Sequence, residues 1–482
     1  MIMKKYLLIL IAGILLGSCS NYLDLKPKNV LSPQTLDDVK TLSAKYFEDI
    51  TSGRFKNKYS IFNPIGCGTA NDDNCMFRYM DCDVDFMSML PFIAEATKDR
   101  FQWINTLFHK QVWFGIYTSI GEINLALYEL GKVSGNEAEH KQLEAELRMH
   151  RALLYTKLLQ YFSPYTPNQY AENIDDYGIP FTWGPQEIAE NLYPQRLSQR
   201  ESYRLILEEL EEILNLNAKS GEWNMLYNER SIHGLFAEFY WWRAGSCCAE
   251  KEDWQKAREH AQLCIAGGGM AQNQEELEAV FNPFAQTVSA AFKLVCPNVW
   301  GNTFEQKFSF IEGWGVSKEL YDSYASDDIR KDVYFSKDWF GNITLSKFQA
   351  ADNDKKRVMT LWRAEEMQLI IAESYARTGE EAKGWSELNK LWILRSASYT
   401  QEGDLFSAIL TERRREFAFE PNYRWLDMKR IGLKIDRPTP LGETFTLEEN
   451  DFRYTFQIPV EGELDTNPNN FQNPGWDIVK FE

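Results

Sequence analysis

Apolar residues recur at helical spacing over most of the chain, and the helices they predict come in pairs. Over residues 231–267, Ile232, Leu235, Phe236, Phe239 and Trp242 share one face, and Gly245 with the polar residues after it ends the run. Trp254, Ala257, Ala261 and Ile265 follow at steps of three, four and four before Gly267, Gly268 and Gly269 stop a second helix. Residues 364–395 repeat the pattern: Met367, Ile370, Ile371, Ser374 and Tyr375 form one face, Gly379 turns the chain, and Ala382, Trp385, Leu388 and Leu391 form the next. A third pair spans 112–130 and 143–162, with Ile116, Ile120, Asn124 and Leu127 facing Leu147, Ala152, Tyr155 and Leu158. Residues 202–216 add one more amphipathic helix.

Small residues at 257 and 261 let two helices approach closely, as a tetratricopeptide-type pair requires. Such pairs support one another only when stacked, so their recurrence predicts a mainly α fold on a tetratricopeptide-like helical-repeat scaffold. Four stretches break the rhythm, at 66–100, 163–196, 283–315 and 336–357. They are rich in Gly, Pro, Asn, Asp and aromatic residues. Irregular segments of that length are usually functional or disordered, and their aromatic content argues against disorder. They are the expected ligand-binding loops.

The amino terminus carries a different signal. Lys4 and Lys5 precede an apolar run at 7–16 that is too short to span a bilayer. Leu16, Gly17, Ser18 and Cys19 then form a lipoprotein processing pattern, in which the cysteine is acylated, by palmitate or a similar chain, and the chain is cut before it. Residues 1–18 are thus expected to be a signal peptide, 19–33 a lipid-anchored tether, and 34–482 a single folded domain with no further membrane segment. The formal charge of −18 becomes more negative once Lys4 and Lys5 are removed. That balance disfavours nucleic acid and anionic membranes as partners and leaves the lipid as the only attachment.

Catalytic motifs are absent: there is no hydrolase elbow, zinc-peptidase histidine pair or phosphate loop. His140 and His150 read as solvated, and His109, His233 and His260 as packed. Cys247 and Cys248 read as buried thiols, while Cys67, Cys75 and Cys82 lie together in one polar stretch without metal-ligand spacing. Asp81, Asp83 and Asp85 alternate as in a calcium loop. Phe86, however, stands where that turn needs glycine, and no glutamate closes it. Calcium at these aspartates is the one cofactor weighed, and none is expected.

The candidate binding residues are loop aromatics beside amides and acids. Asn71, Asp72, Asp73, Phe77 and Tyr79 form one cluster, and Asn298, Trp300 and Asn302, with Trp314 nearby, form another. Trp183, Trp339 and Phe340 are secondary candidates. Flat rings suit the C–H face of a pyranose, and neighbouring amides and acids suit its hydroxyls.

Three segments carry a family resemblance. The chain from Cys19 through Leu23, Asp24 and Pro27 is similar to the start of SusD/RagB lipoproteins. The block from Glu412 to Glu420, followed by Arg424, Trp425, Leu426, Asp427, Met428, Lys429 and Arg430, resembles their most recognisable motif. Ile458 and Pro459, then Asn467 to Gly475, resemble their terminal signature. The chain departs at Pro421, where the family has glycine, and is one residue longer there. On a helix Glu412 and Glu416 are expected to pair with Arg413 or Arg415, making the block an ion-paired buttress. The resemblance implies a SusD-like, non-catalytic outer-membrane lipoprotein facing the cell exterior. It would capture oligosaccharides and deliver them to a SusC-like TonB-dependent transporter, with RagB-like capture of peptides as the alternative.

Overall fold

The computed structural model describes residues 33–52, 80, 82–86, 102–104, 106–185, 190–297, 314–339, 341–348, 356–420, 422–438 and 442–478. Residues 1–32, which hold the expected signal peptide, Cys19 and all but the last residue of the expected tether, lie outside these. Helices dominate. In chain order they are α1 (Leu36–Ser52), α2 (Thr106–Leu130), α3 (Glu137–Phe162), α4 (Gln199–Asn215), α5 (Glu229–Ala244), α6 (Asp253–Ala266) and α7 (Gln274–Phe281). After these come α8 (Lys318–Ser323), α9 (Arg330–Tyr334), α10 (Ala364–Arg377), α11 (Glu381–Trp392), α12 (Leu405–Glu416) and α13 (Tyr423–Ile431). The strands form two-stranded antiparallel ribbons: β1 (Val84–Phe86) with β3 (Trp314–Val316), β2 (Ala290–Pro297) with β6 (Lys356–Arg363), β4 (Phe335–Lys337) with β5 (Ile343–Leu345), and β7 (Ile435–Pro438) with β8 (Thr444–Leu447). No described helix is long and apolar enough to cross a membrane.

The paired helices are present as the periodicity predicts: α2 packs on α3, α5 on α6, and α10 on α11, with α6 also against α10. Ala257 and Ala261 are fully buried at the α5–α6 contact. Gly234 of α5 answers the same need for closeness, because a Cβ there would meet Trp362 at 2.4 Å. Trp362 adopts a positive φ at the end of β6, and its indole nitrogen donates to Glu238 at 2.9 Å.

Helix α3 is more deeply enclosed than its amphipathic pattern implies, every residue from Met149 through Phe162 being buried. His150, read as solvated, is fully buried, and its Nε2 lies 2.8 Å from Glu146 Oε1. Glu146 also accepts the backbone N–H groups of Leu226 and Tyr227, so the pair ties α3 to the chain entering α5. At the far end of α3, buried Lys429 donates to the carbonyls of Gln160 and Ser163 at 2.7 Å each, satisfying acceptors that the helix leaves open.

The 412–430 block is a buttress, but its pairing is mostly long-range. Two pairs join helical neighbours, Glu412 with Arg415 at 3.4 Å and Asp427 with Arg430 at 3.0 Å. Glu416 instead accepts from Arg330, Arg363 and Arg395, each at 3.0 Å. Arg330 also binds Asp328 and Glu412, Arg395 binds Glu365, and Arg363 shares Glu420 with Lys347. Burial alone would raise the Glu416 pKa; Arg395, Arg363 and Arg330 outweigh it and hold the carboxylate well below its usual range. Burial lowers Lys347 to about 8, with Glu420 acting the other way.

Glu416→Gln keeps the shape but leaves buried arginines without their counter-charge. It is expected to cost about 3–5 kcal/mol in urea unfolding; a loss under about 1 kcal/mol would contradict the central role of this carboxylate. Buried His109 stacks on Phe456 at 4.3 Å, and burial lowers its pKa to about 3. Its stabilising contribution is complete above the unfolded pKa of about 6.5 and falls as the unfolded chain takes up the proton first, by about 1.4 kcal/mol per pH unit, levelling only below the folded pKa. Unfolding free energies of His109→Gln measured across that window should show a flatter acid limb than the parent.

Candidate functional site

Most of the candidate residues lie outside the part of the chain that the structure describes. Asn71, Asp72, Asp73, Phe77 and Tyr79 lie outside the described residues, as do Asn298, Trp300, Asn302 and Phe340. Trp314 opens β3, and its backbone pairs with Phe86 of β1 in the register Val84↔Val316, Asp85↔Gly315, Phe86↔Trp314. On the other side of residues 298–313, β2 ends at Pro297, which pairs with Lys356.

Arg414 fixes the β1–β3 ribbon to the helices. It reaches Asp83 Oδ1 at 2.7 Å and Glu319 Oε1 at 2.5 Å, bridging α12, the start of β1 and α8. The amide of Ser317 adds a backbone bond to the Asp83 carbonyl at 2.8 Å. Asp83, a calcium-loop candidate by its spacing, is thus a buried ion-pair partner, and Asp81 lies outside the described residues.

The β4–β5 hairpin stands beside this ribbon, β5 packing against β3. Its tip is braced locally. Asp338 Oδ1 accepts the Asn342 amide at 2.8 Å, Asp338 Oδ2 accepts the Asn342 side-chain amide at 2.8 Å, and Gly341 supplies a positive φ. On that tip Trp339 is 97% exposed. Such exposure of the largest side chain, on a turn fixed by side-chain hydrogen bonds, is a feature that core packing does not explain. Trp183 differs: Arg151 lies 4.8 Å over its ring, and it is partly buried against the core.

A second concavity holds none of the candidates. It measures about 210 Å³ between α1, α2 and α3, lined by Leu42, Ser43, Glu122, Ile123, Leu125, Ala126 and Leu147. That is below the ~300 Å³ at which small-molecule pockets begin. Glu366 has its pKa raised to about 7 by burial and by the charge of Glu238, but it is enclosed and accepts from the Tyr423 hydroxyl at 2.9 Å.

No family model and no curated protein matches the chain. Solved structures do. A SusD-like carbohydrate binding protein from Bacteroides vulgatus superposes with a TM-score of 0.70 at 18% identity, covering 93% of this chain and 100% of that one. A SusD superfamily protein from Bacteroides thetaiotaomicron gives 0.68 at 18% identity, covering 91% and 100%. The chain has the SusD-like fold. Surface glycan-binding protein A from Bacteroides thetaiotaomicron gives 0.65 at 14% identity, covering 91% of this chain and 99% of its own. The similarity extends over at least 91% of this chain in each of the three comparisons.

Asp83→Asn removes the charge facing Arg414. Hydrogen exchange should then quicken at the β1–β3 amides while α5 and α6 keep their protection. Equal acceleration in both regions, or none in the ribbon, would show that the pair does not anchor this face.

Proposed function

We propose that this protein is a lipid-anchored, non-catalytic surface protein that captures oligosaccharides and hands them to a SusC-like TonB-dependent transporter in the outer membrane. The exposed Trp339 on its braced turn carries the reading. A flat ring there offers a pyranose its apolar face, with the Asp338 carboxylate and Asn342 amide on the same turn for the hydroxyls. The hairpin lies against β3, whose first residue is the candidate Trp314.

Three further observations support it. SusD-like structures of matching fold include proteins described as carbohydrate binding and surface glycan-binding. The sequence at Leu16, Gly17, Ser18 and Cys19 suits acylation and outer-membrane anchoring. The buried acids Glu412, Glu416 and Glu420 are engaged in ion pairs of the core rather than set across a cleft. In this reading the paired helices provide the surface that holds the transporter, and the ribbon face meets the sugar.

Calorimetric titration with an oligosaccharide panel tests the capture step. Trp339→Ala should raise Kd about tenfold for the sugar bound, the scale for losing an aromatic anchor. Its thermal stability should be unchanged, since the side chain is solvated. Unaltered affinity would remove Trp339 from the site, and shortening of the sugars on incubation would overturn the non-catalytic assignment.

A further inference from the structure

Sulfur and oxygen donors converge just after α5, on elements that form no part of the ribbon face. Cys247 Sγ and Cys248 Sγ stand 3.6 Å apart, and Cys248 Sγ lies 3.2 Å from Asp175 Oδ1. All three donors fall within 4.8 Å of one another, and no other group of three or more His, Cys, Asp or Glu donors is so placed among the described residues. Cys247 is exposed rather than buried as its sequence context suggests, Cys248 is buried, and Asp175 is partly exposed. Asp175 is held in place: its Oδ1 accepts the Arg200 amide at 2.9 Å and its carbonyl accepts the Gln199 amide. Ser246 Oγ accepts the Cys248 amide at 3.1 Å and fixes the turn that presents both thiols.

We propose that Asp175, Cys247 and Cys248 bind a divalent d10 cation of the zinc class, with solvent in the fourth position.

Geometry supports this. Two thiolates on one tetrahedral zinc, each at about 2.3 Å, stand about 3.8 Å apart, close to the spacing present. A thiolate and a carboxylate oxygen on the same ion stand about 3.6 Å apart, so Cys248 and Asp175 need separate by only a few tenths of an ångström. The S–H···O contact between them lies where the ion would replace its proton. A disulfide is the competing fate of two neighbouring thiols. Adjacent Cα atoms are about 3.8 Å apart, short of the roughly 4.4 Å at which ordinary disulfides begin, so the bond would be strained. Charge also balances: two thiolates and a carboxylate around a divalent ion leave one negative charge, and Arg200 Nε lies 3.8 Å from Asp175 Oδ2.

Binding releases the two thiol protons to solvent and forms two metal–sulfur bonds and one metal–oxygen bond, with no change of oxidation state. The ion would clamp the segment before α4 to the end of α5. It would therefore raise the melting temperature as its concentration exceeds Kd.

Cadmium ion alone, added to the reduced full chain, is the probe. One ion per chain should bind, with a thiolate-to-cadmium charge-transfer band and a higher melting temperature. Cys247→Ser should abolish the band. Because Cys247 is exposed, that variant tests the site even if Cys248→Ser does not fold. Asp175→Asn should weaken binding while leaving the band. The proposal is overturned if the reduced parent gives no band, if the band survives in Cys247→Ser, or if the native protein is isolated with Cys247 and Cys248 joined by a disulfide.

Discussion

The candidate ligand face of this structure is held by a buried charge cluster around Glu416. Its carboxylate receives guanidinium groups from α9, from the junction of β6 and α10, and from the chain just after α11. No one element of the scaffold supplies such a cluster alone. Burying an ion costs several kcal/mol, and that cost is offset only when every partner arrives in register. The cluster therefore contributes less through net stability than through specificity. It admits one mutual arrangement of α12, the repeat helices and the long ribbon, and penalises the rest.

The constraint passes outward through α12. Two residues before Glu416, Arg414 leaves the same helix on another side and fixes Asp83 at the root of β1. β3 pairs with β1, β5 packs on β3, and the hairpin tip carries Trp339. A rigid interior is thus coupled to a small and irregular surface, through Arg414 at the β1–β3 ribbon and through Lys347, which follows β5 and donates to the Glu416 carbonyl at 3.0 Å. That division of labour suits the proposed capture role, since binding residues tend to sit on irregular segments carried by a rigid scaffold. Similar SusD-like architectures occur at 14% and 18% identity. Such divergence is tolerable where packing volume and buried charge are kept and loops vary.

Much of the fold is legible in the sequence because paired helices announce themselves through period and through small residues such as Ala257 and Ala261. The strands are harder to read. β2 lies within a stretch of irregular composition and β6 begins at the end of another, and their side chains do not alternate cleanly between apolar and polar. The buttress is recognisable, yet its partners are not. Helical spacing points Glu416 to Arg413, whereas the true partners, Arg330, Arg363 and Arg395, are distant in sequence. The available signal is an arginine set against a strongly apolar run, as Arg363 is after Leu361 and Trp362. His150 misleads for the same reason: a polar residue on a helix reads as solvated unless its buried acceptor, Glu146, is noticed one turn earlier. Among the candidate aromatics, Trp339 stands out little by sequence because an isolated Trp in a loop is more often packed than exposed. Only the brace between Asp338 and Asn342 distinguishes it.

The most direct test of the account is a crystal structure with an oligosaccharide bound. The ligand should lie against the face of Trp339 and along the β1–β3 ribbon, with the Glu416 cluster unmoved. Sugar bound instead on the surface of the paired helices, away from Trp339 and Trp314, would contradict the account.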